Sequence, residues 1–223
     1  MRDPLKPLLL SGLVFGLMIG SSQAQNFDPH EALRQQEAQR QAQQVRDEQA
    51  LYERYRNKQT ASINNDGTVT IGNLQWMRCS LGQQWNGSTC TGLATEHNWN
   101  DARALPGLMN AQGGFAGHSD WRLPTISELA SLRVCSSGRA SDTINLPGGV
   151  TTFGWCSGDN SPPSLDTRLF PFTRLLPNDL YFWSASPYAG NSDRAWYVYF
   201  GFGDVDGLLK FLSYRVLLVR GGQ

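Results

Sequence analysis

A short polar loop near the C-terminus carries the side chains best suited to holding a ligand. The stretch 188–194 combines a tyrosine, an amide, a carboxylate and an arginine between two segments that predict β-strands. An aromatic ring can lie against a sugar while carboxylates and amides hold its hydroxyl groups. Asp204 and Asp206 follow on the next predicted turn, which an antiparallel sheet can bring near this loop. The alternative is an ordinary polar loop. The predicted ligand site consists of Tyr188, Asn191, Asp193, Arg194, Asp204 and Asp206.

A tryptophan and an arginine beside a predicted helix start form a second candidate group. Thr125 stands three residues before Glu128 and just ahead of an apolar run, the spacing of a capping box. Trp121 and Leu123 alternate with Arg122, so the apolar pair shares one face and the guanidinium lies on the other. Arg122 and Glu128 are therefore either a catalytic or ligand-binding pair, or a structural ion pair with a cap. We predict the structural role.

Patterns for catalysis and metal binding are weak. The contiguous run His118-Ser119-Asp120 cannot form a charge-relay group from neighbouring side chains, and a turn is its simplest interpretation. Asp204-Val205-Asp206-Gly207 lacks the spacing and distal glutamate of an EF-hand loop, which favours a hairpin turn. Trp99-Asn100-Asp101 matches the tripeptide that binds calcium in sugar-binding C-type lectins, but it lies at a predicted helix start that Asn98 or Asn100 would cap. We predict no enzyme activity, no metal site and no cofactor.

Residues 1–24 have the organisation of a secretory signal peptide. Arg2 and Lys6 precede an apolar segment from 8 to 19, and small residues end at Ala24, where we expect cleavage. The apolar segment is too short to span a bilayer comfortably, and no later stretch approaches about 18 continuous apolar residues. The prediction is a periplasmic, secreted or cell-surface protein without a membrane span.

The charge of the chain does not indicate an anionic partner. The sequence has 19 basic and 19 acidic residues, and removal of Arg2, Asp3 and Lys6 leaves 17 and 18, a net charge of −1. Nucleic acids, anionic lipids and sulfated polymers favour proteins with a basic excess. We predict no nucleic-acid partner.

Export also governs the interpretation of the cysteines, because an oxidising compartment favours disulfide bonds. No two of the four cysteines have C-x-x-C spacing, and the sequence has 3 histidines, so a zinc site has little support. Three pairings are possible. We favour the pairing that is local in sequence, Cys79–Cys90 with Cys135–Cys156.

The segment from 25 to 60 predicts a glutamine-rich helical stalk or linker. Asp28 and Pro29 have the types expected at an N-cap and a first helical position, and the run to about Lys58 contains no glycine. A 4-3-4-3 spacing relates Ala38, Ala42, Val45, Gln49 and Tyr52, which is a coiled-coil register with poor seam residues. The stalk is therefore either a weak homo-oligomer through residues 28–58 or a spacer helix.

A change in composition near residue 64 marks the start of a domain over 64–223, rich in glycine and aromatic residues. We predict early strands at 68–71 and 74–78 and late strands at 181–186, 195–202, 208–212 and 214–220. Both faces of the last are apolar, which predicts a central strand. Trp99, Ala102 and Leu105 share a helical face that Pro106-Gly107 should end. The polar region from Cys135 to Asn178 predicts a functional loop system.

Several motifs of this domain together resemble the Lcl C-terminal domain family, from about Asp66 to Gly222. They are Trp76-Met77-Arg78-Cys79, Gly82-Gln83, Cys90-Thr91-Gly92, Trp99 to Ala102, Asp120-Trp121-Arg122-Leu123-Pro124-Thr125 with Glu128-Leu129, Phe170-Pro171, Trp183-Ser184, Ala195-Trp196 and Val219-Arg220-Gly221-Gly222.

The resemblance implies an α+β, C-type-lectin-like fold, with two short helices on twisted antiparallel sheets. The family is catalogued as a domain of unknown function, and its best-known member is a trimeric surface adhesin for sulfated glycans. Formylglycine-generating enzymes share the general fold and a similar Arg-Leu-Pro-Thr-x-x-Glu corner. Their oxidase chemistry needs reactive thiols late in the chain, whereas no cysteine follows Cys156 here.

Residue types and resemblance together favour an exported, non-catalytic recognition domain that binds a glycan or a cell-surface partner. The competing classes are a structural component of the cell envelope and an enzyme related to the formylglycine-generating enzymes. We predict structural roles for Trp99, Trp121, Arg122, Thr125, Glu128, Trp183 and Trp196.

Overall fold

The computed structural model describes residues 31–40, 42, 61–138, 143–147, 150–172 and 177–222 of the 223-residue chain. The chain divides into two compact units, Met1–Ala42 and Gln43–Gln223. In the first unit, residues 31–40 and 42 are helical with exposed side chains, and we name this helix α1. The predicted signal peptide, the cap at Asp28 and the stalk beyond residue 42 lie outside the described residues.

An antiparallel four-stranded sheet combines early and late parts of the second unit. Its strands β1 (Ala61–Ile63), β2 (Thr68–Ile71) and β3 (Leu74–Met77) follow one another, and β13 (Val219–Gly221) pairs with β3. A turn between β1 and β2 forms because an oxygen of Asp66 accepts a hydrogen bond from the Thr68 amide at 3.0 Å. The two predicted early strands are confirmed. The sequence does not predict β1, because its side chains are all exposed and show no alternation.

A five-stranded sheet is built mainly from the C-terminal third, in the order β11-β10-β9-β12-β6. Its members are β6 (Glu96–His97), β9 (Tyr181–Pro187), β10 (Arg194–Tyr199), β11 (Asp204–Leu209) and β12 (Tyr214–Arg215). Pairing is antiparallel except between β12 and β9. The predicted strands at 181–186 and 195–202 are confirmed in kind, although β10 ends at Tyr199.

The prediction of a turn at Asp204-Val205-Asp206-Gly207 is wrong. These four residues begin β11, which pairs along its whole length with β10. The chain reverses instead at residues 200–203, where Gly203 adopts φ +71°. A side chain at that position is disfavoured both by the positive φ and by the sulfur of Cys156, which lies 2.8 Å from an added Cβ. The carboxylates of Asp204 and Asp206 therefore lie on a strand.

The prediction of a single central strand over 214–220 is also wrong. The segment splits into β12 in one sheet and β13 in the other, and Val216, Leu217 and Leu218 cross between them. All three side chains have no exposed surface. Leu217 enters one apolar cluster while Val216 and Leu218 enter another, which explains why both faces of the segment are apolar.

Two short helices complete the architecture. Asn98 caps α2 (Trp99–Ala111), since its side-chain oxygen accepts from the Asp101 amide at 3.1 Å. The expectation that Pro106-Gly107 ends this helix is wrong. The helix continues to Ala111 with Pro106 buried inside it, so the missing proline donor is tolerated where the ring packs. The second helix is α3 (Ile126–Ala130).

Both predicted disulfide bonds, Cys79–Cys90 and Cys135–Cys156, are present. The first lies beside the hairpin of β4 (Gln84–Trp85) and β5 (Cys90–Thr91). The second joins the start of the region predicted as a loop system to its middle. This region contains a further hairpin, β7 (Thr143–Leu146) with β8 (Val150–Phe153), and a 3-10 turn at Pro177–Leu180. Much of the described chain between these elements is irregular loop.

The apolar core consists of two clusters, one on either side of the five-stranded sheet. Phe182, Val198 and Leu129 belong to the first, whereas Trp183 and Trp121 belong to the second. The tryptophans predicted to be structural are buried in this core, except that Trp196 is only partly buried. Among the described residues, no helix has both the length and the apolar character needed to cross a bilayer.

Candidate functional site

The corner formed by Arg122 and α3 has the predicted capping box. Thr125 accepts from the Glu128 amide, and Glu128 accepts in return from the Thr125 amide at 2.8 Å. Arg122 donates both terminal nitrogens to the two oxygens of Glu128, at 2.8 and 2.6 Å. Burial raises the pKa of Glu128, but the bonds from Arg122 and Thr125 outweigh burial and hold the pKa below its usual value.

A groove of about 490 Å³ lies beside this corner. It is lined by Arg103, Pro106, Arg122, Leu123, Thr125, Glu128, Ala185 and Gly222. A terminal nitrogen of Arg122 also donates to the Gly221 carbonyl at 2.9 Å, so this guanidinium ties α3 to the end of β13. The polar groups of the pair are satisfied by one another and by backbone, which is the pattern of a structural brace.

The predicted loop site is largely occupied by contacts within the protein. The Tyr188 ring packs on Trp196, with centroids 4.6 Å apart, and also covers Gly207. Arg194 donates to the Gly207 carbonyl at 3.0 Å. The side chain of Asn191 accepts from the Asp193 amide at 2.9 Å, which is the local bond of a turn. The side chains of Asn191 and Asp193 are exposed.

The structure does not bring Asp204 and Asp206 to this loop. In the β10–β11 register, Trp196 lies opposite Gly207, while Tyr197 lies opposite Asp206 and Tyr199 opposite Asp204. Successive side chains alternate between the faces of a strand. The two carboxylates therefore lie on the face of the sheet away from Tyr188 and Arg194, and the six predicted residues divide into two groups.

A cluster of four tyrosines shares the face with the two carboxylates. Tyr181 stacks on Tyr199 with centroids 4.2 Å apart and on Tyr214 at 4.9 Å, and Tyr197 lies 5.6 Å from Tyr181. Tyr197 is buried, whereas the other three rings are partly exposed. We define the tyrosine face as Tyr181, Tyr197, Tyr199, Tyr214, Asp204 and Asp206. The ring of Phe202, which is 53% exposed, borders it and contacts Tyr199 edge-on at 6.0 Å.

The polar groups of the tyrosine face have few partners in the described part of the chain. None of the four phenol hydroxyls makes a hydrogen bond there, and the Asp204 carboxylate accepts none. Desolvation, followed by the charges of Asp204 and Asp206, raises the pKa of Tyr197. The pKa values of Tyr199 and Tyr214 are also raised, with desolvation as the main cause. The phenols of Tyr197, Tyr199 and Tyr214 therefore stay protonated and available as donors.

Asp204 is a half-buried carboxylate beside a like charge. Desolvation and the charge of Asp206 raise its pKa, while the charge of Arg133 lowers it. Arg133 does not neutralise the carboxylate by direct pairing. Its guanidinium is buried and donates to the carbonyls of Ala130, Gly154 and Gly203 and to the Thr152 hydroxyl. Desolvation lowers the pKa of Arg133 to about 9.

The sequence signal for the tyrosine face was present but weak. Tyr197 and Tyr199 are two residues apart in a predicted strand and so must share a face. Tyr181 and Tyr214 come from other strands, and only the pairing order of the sheet places them beside that pair. Within the described ranges, no group of three or more His, Cys, Asp or Glu side chains has the arrangement of a metal site.

In the described part of the chain, a four-stranded antiparallel sheet, a mainly antiparallel five-stranded sheet, two short helices and two disulfide bonds define a class of α+β domain, with an aromatic and acidic face on one sheet. Comparison with protein-family models matches residues 70–220 to the Lcl C-terminal domain. The chain belongs to the Lcl C-terminal domain family, as its motifs predicted. No curated protein sequence matches the chain.

Proposed function

We propose that this protein is an exported, non-catalytic recognition domain that binds a glycan through the tyrosine face. The observation that carries the proposal is a set of phenol hydroxyls that have no hydrogen-bond partner among the described residues and that lie beside two carboxylates on one sheet. Sugar hydroxyls both donate and accept hydrogen bonds. Phenols supply donors and carboxylates supply acceptors, so the face matches the chemistry of a carbohydrate ligand.

The aromatic part of the face supports the same ligand class. Phe202 exposes 53% of its surface at the border of the tyrosines, which leaves ring area for a sugar to lie against. Tyr181 and Tyr199 are paired residues of neighbouring strands, so the sheet fixes the spacing of their hydroxyls. A rigid support reduces the entropy lost when a ligand binds.

A C-type-lectin-like architecture is part of this proposal. Its support is the family membership together with the two short helices, the antiparallel sheets and the sharing of one sheet by β1 and β13. Both disulfide bonds are of the kind that persists outside the cytoplasm. We place the mature protein in the periplasm or at the cell surface after cleavage near Ala24, with the segment from 25 to 60, whose sequence predicts a helical stalk or linker, preceding the domain.

A glycan array with residues 25–223 tests the proposal, followed by calorimetry on the glycans that bind. Tyr199→Phe removes one hydroxyl and keeps the ring, so we expect it to weaken binding by roughly 0.5–1.5 kcal/mol. Its melting temperature should stay nearly unchanged, because that hydroxyl has no partner in the described structure.

Tyr188→Phe is the matched variant on the opposite face of the sheet. If Tyr188→Phe weakens binding and Tyr199→Phe does not, the ligand site belongs to the loop at 188–194. If no glycan binds the wild-type chain, the glycan proposal is wrong, and a surface protein or a purely structural role replaces it.

A further inference from the structure

The charged groups around the tyrosine face are mainly negative. Asp204 and Asp206 lie on it, and the charge of Glu96 contributes to the raised pKa of Tyr214. His97, opposite Tyr214 in the strand register, binds the Thr95 hydroxyl at 2.8 Å. The charge of Arg133 lowers the pKa of Asp204, and it acts from the interior rather than from the solvent side, since the residue is 6% exposed.

Other basic groups of neighbouring elements are directed elsewhere. The ammonium of Lys210 lies 4.4 Å from the Trp99 ring centre and donates to the Ser192 carbonyl at 2.5 Å. The guanidinium of Arg103 lies 4.7 Å from the same ring. Arg215 pairs with Asp179 at 2.9 Å. None of these basic side chains pairs with Asp204 or Asp206 in the described structure. A ligand on the tyrosine face therefore meets carboxylates whose charge no surface cation among them offsets.

Tyr197 gives an independent indication that the face is built for a ligand. Its residue is only 7% exposed, yet its hydroxyl forms no hydrogen bond within the described structure. In the strand register Tyr197 lies opposite Asp206, and desolvation followed by the charges of Asp204 and Asp206 raises the pKa of its phenol. The Tyr197 ring is thus held by the packing of the residue, while its hydroxyl makes no hydrogen bond in the described structure and can donate to a ligand atom.

We propose that the tyrosine face selects glycans with free, protonated amino groups over N-acetylated, neutral or sulfated glycans. This inference rests on the proposed function and adds the chemical class of the ligand. An ammonium donates to the unpaired carboxylate of Asp204 and offsets its repulsion with Asp206. It also lies favourably against tyrosine rings, because their π-systems attract cations. Sulfate and uronate groups meet like charge at the same position.

Paired oligosaccharides test the inference directly. The probes are the tetramer of β-1,4-linked glucosamine, the N-acetylated tetramer of the same linkage, and a heparin tetrasaccharide, each titrated into residues 25–223 by calorimetry near neutral pH. We expect the amine tetramer to bind about tenfold more tightly than its acetylated partner, the usual scale of one charge-assisted hydrogen bond. Heparin should bind more weakly than either.

In the double variant Asp204→Asn with Asp206→Asn, the glucosamine tetramer and the N-acetylated tetramer should bind with nearly equal affinity. Asp159→Asn is the control, because it removes one exposed carboxylate from a loop outside the tyrosine face. It should leave the ratio of the two affinities unchanged. Melting curves establish that each variant is folded before its affinities are compared.

The outcomes separate this inference from the function on which it rests. Equal affinities for the amine and acetylated tetramers overturn the selectivity and leave glycan binding in place. Preference for heparin also overturns it, as does a preference for the amine that survives in the double variant. Absence of binding to every oligosaccharide, here and on the array, removes the glycan function itself.

Discussion

Replacement of Glu128 by alanine gives the sharpest test of how the corner is held. The substitution removes both bonds from Arg122, at 2.8 and 2.6 Å, and the bond from the Thr125 amide at 2.8 Å. Among the described residues, it leaves the guanidinium of Arg122 with the Gly221 carbonyl as its hydrogen-bond acceptor. The start of α3 and the end of β13 then lose their common anchor.

The size of the effect follows from the burial of the pair. Removing one partner of a fully buried ion pair costs about 3–5 kcal/mol, whereas an exposed pair contributes about 0–1 kcal/mol. The side chains of Arg122 and Glu128 are 26% and 18% exposed, so water recovers part of the loss. We expect Glu128→Ala to lower the free energy of unfolding by about 2–3 kcal/mol.

The effect should depend on pH with a defined sign. The folded-state pKa of Glu128 lies below its unfolded value, which is about 4.3 for glutamate. The ionised carboxylate therefore contributes stability that is fully present above the unfolded pKa and is lost as the pH falls through the folded pKa. The stability difference between wild type and Glu128→Gln should accordingly shrink on acidification.

Urea unfolding across a pH series measures both effects. Asp120→Asn is the matched control, since it breaks the pair with Arg220 at a carboxylate that is 57% exposed, and it should cost less than about 1 kcal/mol. A loss below about 0.5 kcal/mol for Glu128→Ala, or a loss that is constant through the acid range, would show that packing rather than the ion pair holds this corner.

The remaining expectations concern the core, the acidic strand and the stalk. Trp121 is 2% exposed and Trp155 is 50% exposed. Trp121→Ala should therefore lower the free energy of unfolding, measured with urea, by about 3–5 kcal/mol, and Trp155→Ala should lower it far less. Similar losses for the two variants would contradict the assignment of Trp121 to the core. Asp204→Asn should raise the melting temperature at neutral pH. The raised pKa of Asp204 means that its carboxyl group stabilises the fold only while it is protonated. The higher melting temperature of Asp204→Asn relative to wild type should therefore disappear in acid, and a difference that persists in acid refutes this role of the charge. Light scattering should show weak, concentration-dependent association of residues 25–223 that residues 60–223 lack, and equal monomeric masses would reduce the stalk to a spacer.

The sequence correctly predicted the features that depend on interactions between residues close together in the chain. The capping box at Thr125 and Glu128, the alternation around Arg122 and the pairing of cysteines close in sequence are decided by residues near one another. Helix α2 shows the limit of such signals. A proline normally ends a helix, but α2 continues past the buried Pro106 despite the loss of one backbone hydrogen bond.

The candidate site shows what sequence patterns cannot supply. Aspartates and a glycine from 204 to 207 have turn propensity, yet pairing with β10 makes them a strand. That shift changes the face on which the carboxylates lie, because alternation then assigns them to the side of Tyr197 and Tyr199. Strand order is a property of the whole chain, so the grouping of tyrosines from β9, β10 and β12 was not predictable from any one segment.

The pairing of β13 with β3 has a consequence for how the protein acquires its structure during synthesis. Val219 lies opposite Trp76, so the four-stranded sheet cannot close until residues far apart in the chain have both emerged. Contacts of such wide separation in sequence form slowly, because a long loop must be ordered first. The four-stranded sheet can therefore be completed only after Val219 has been synthesised. The crossing at 216–218, which enters both apolar clusters, can join the two clusters only after this last part of the chain has been made.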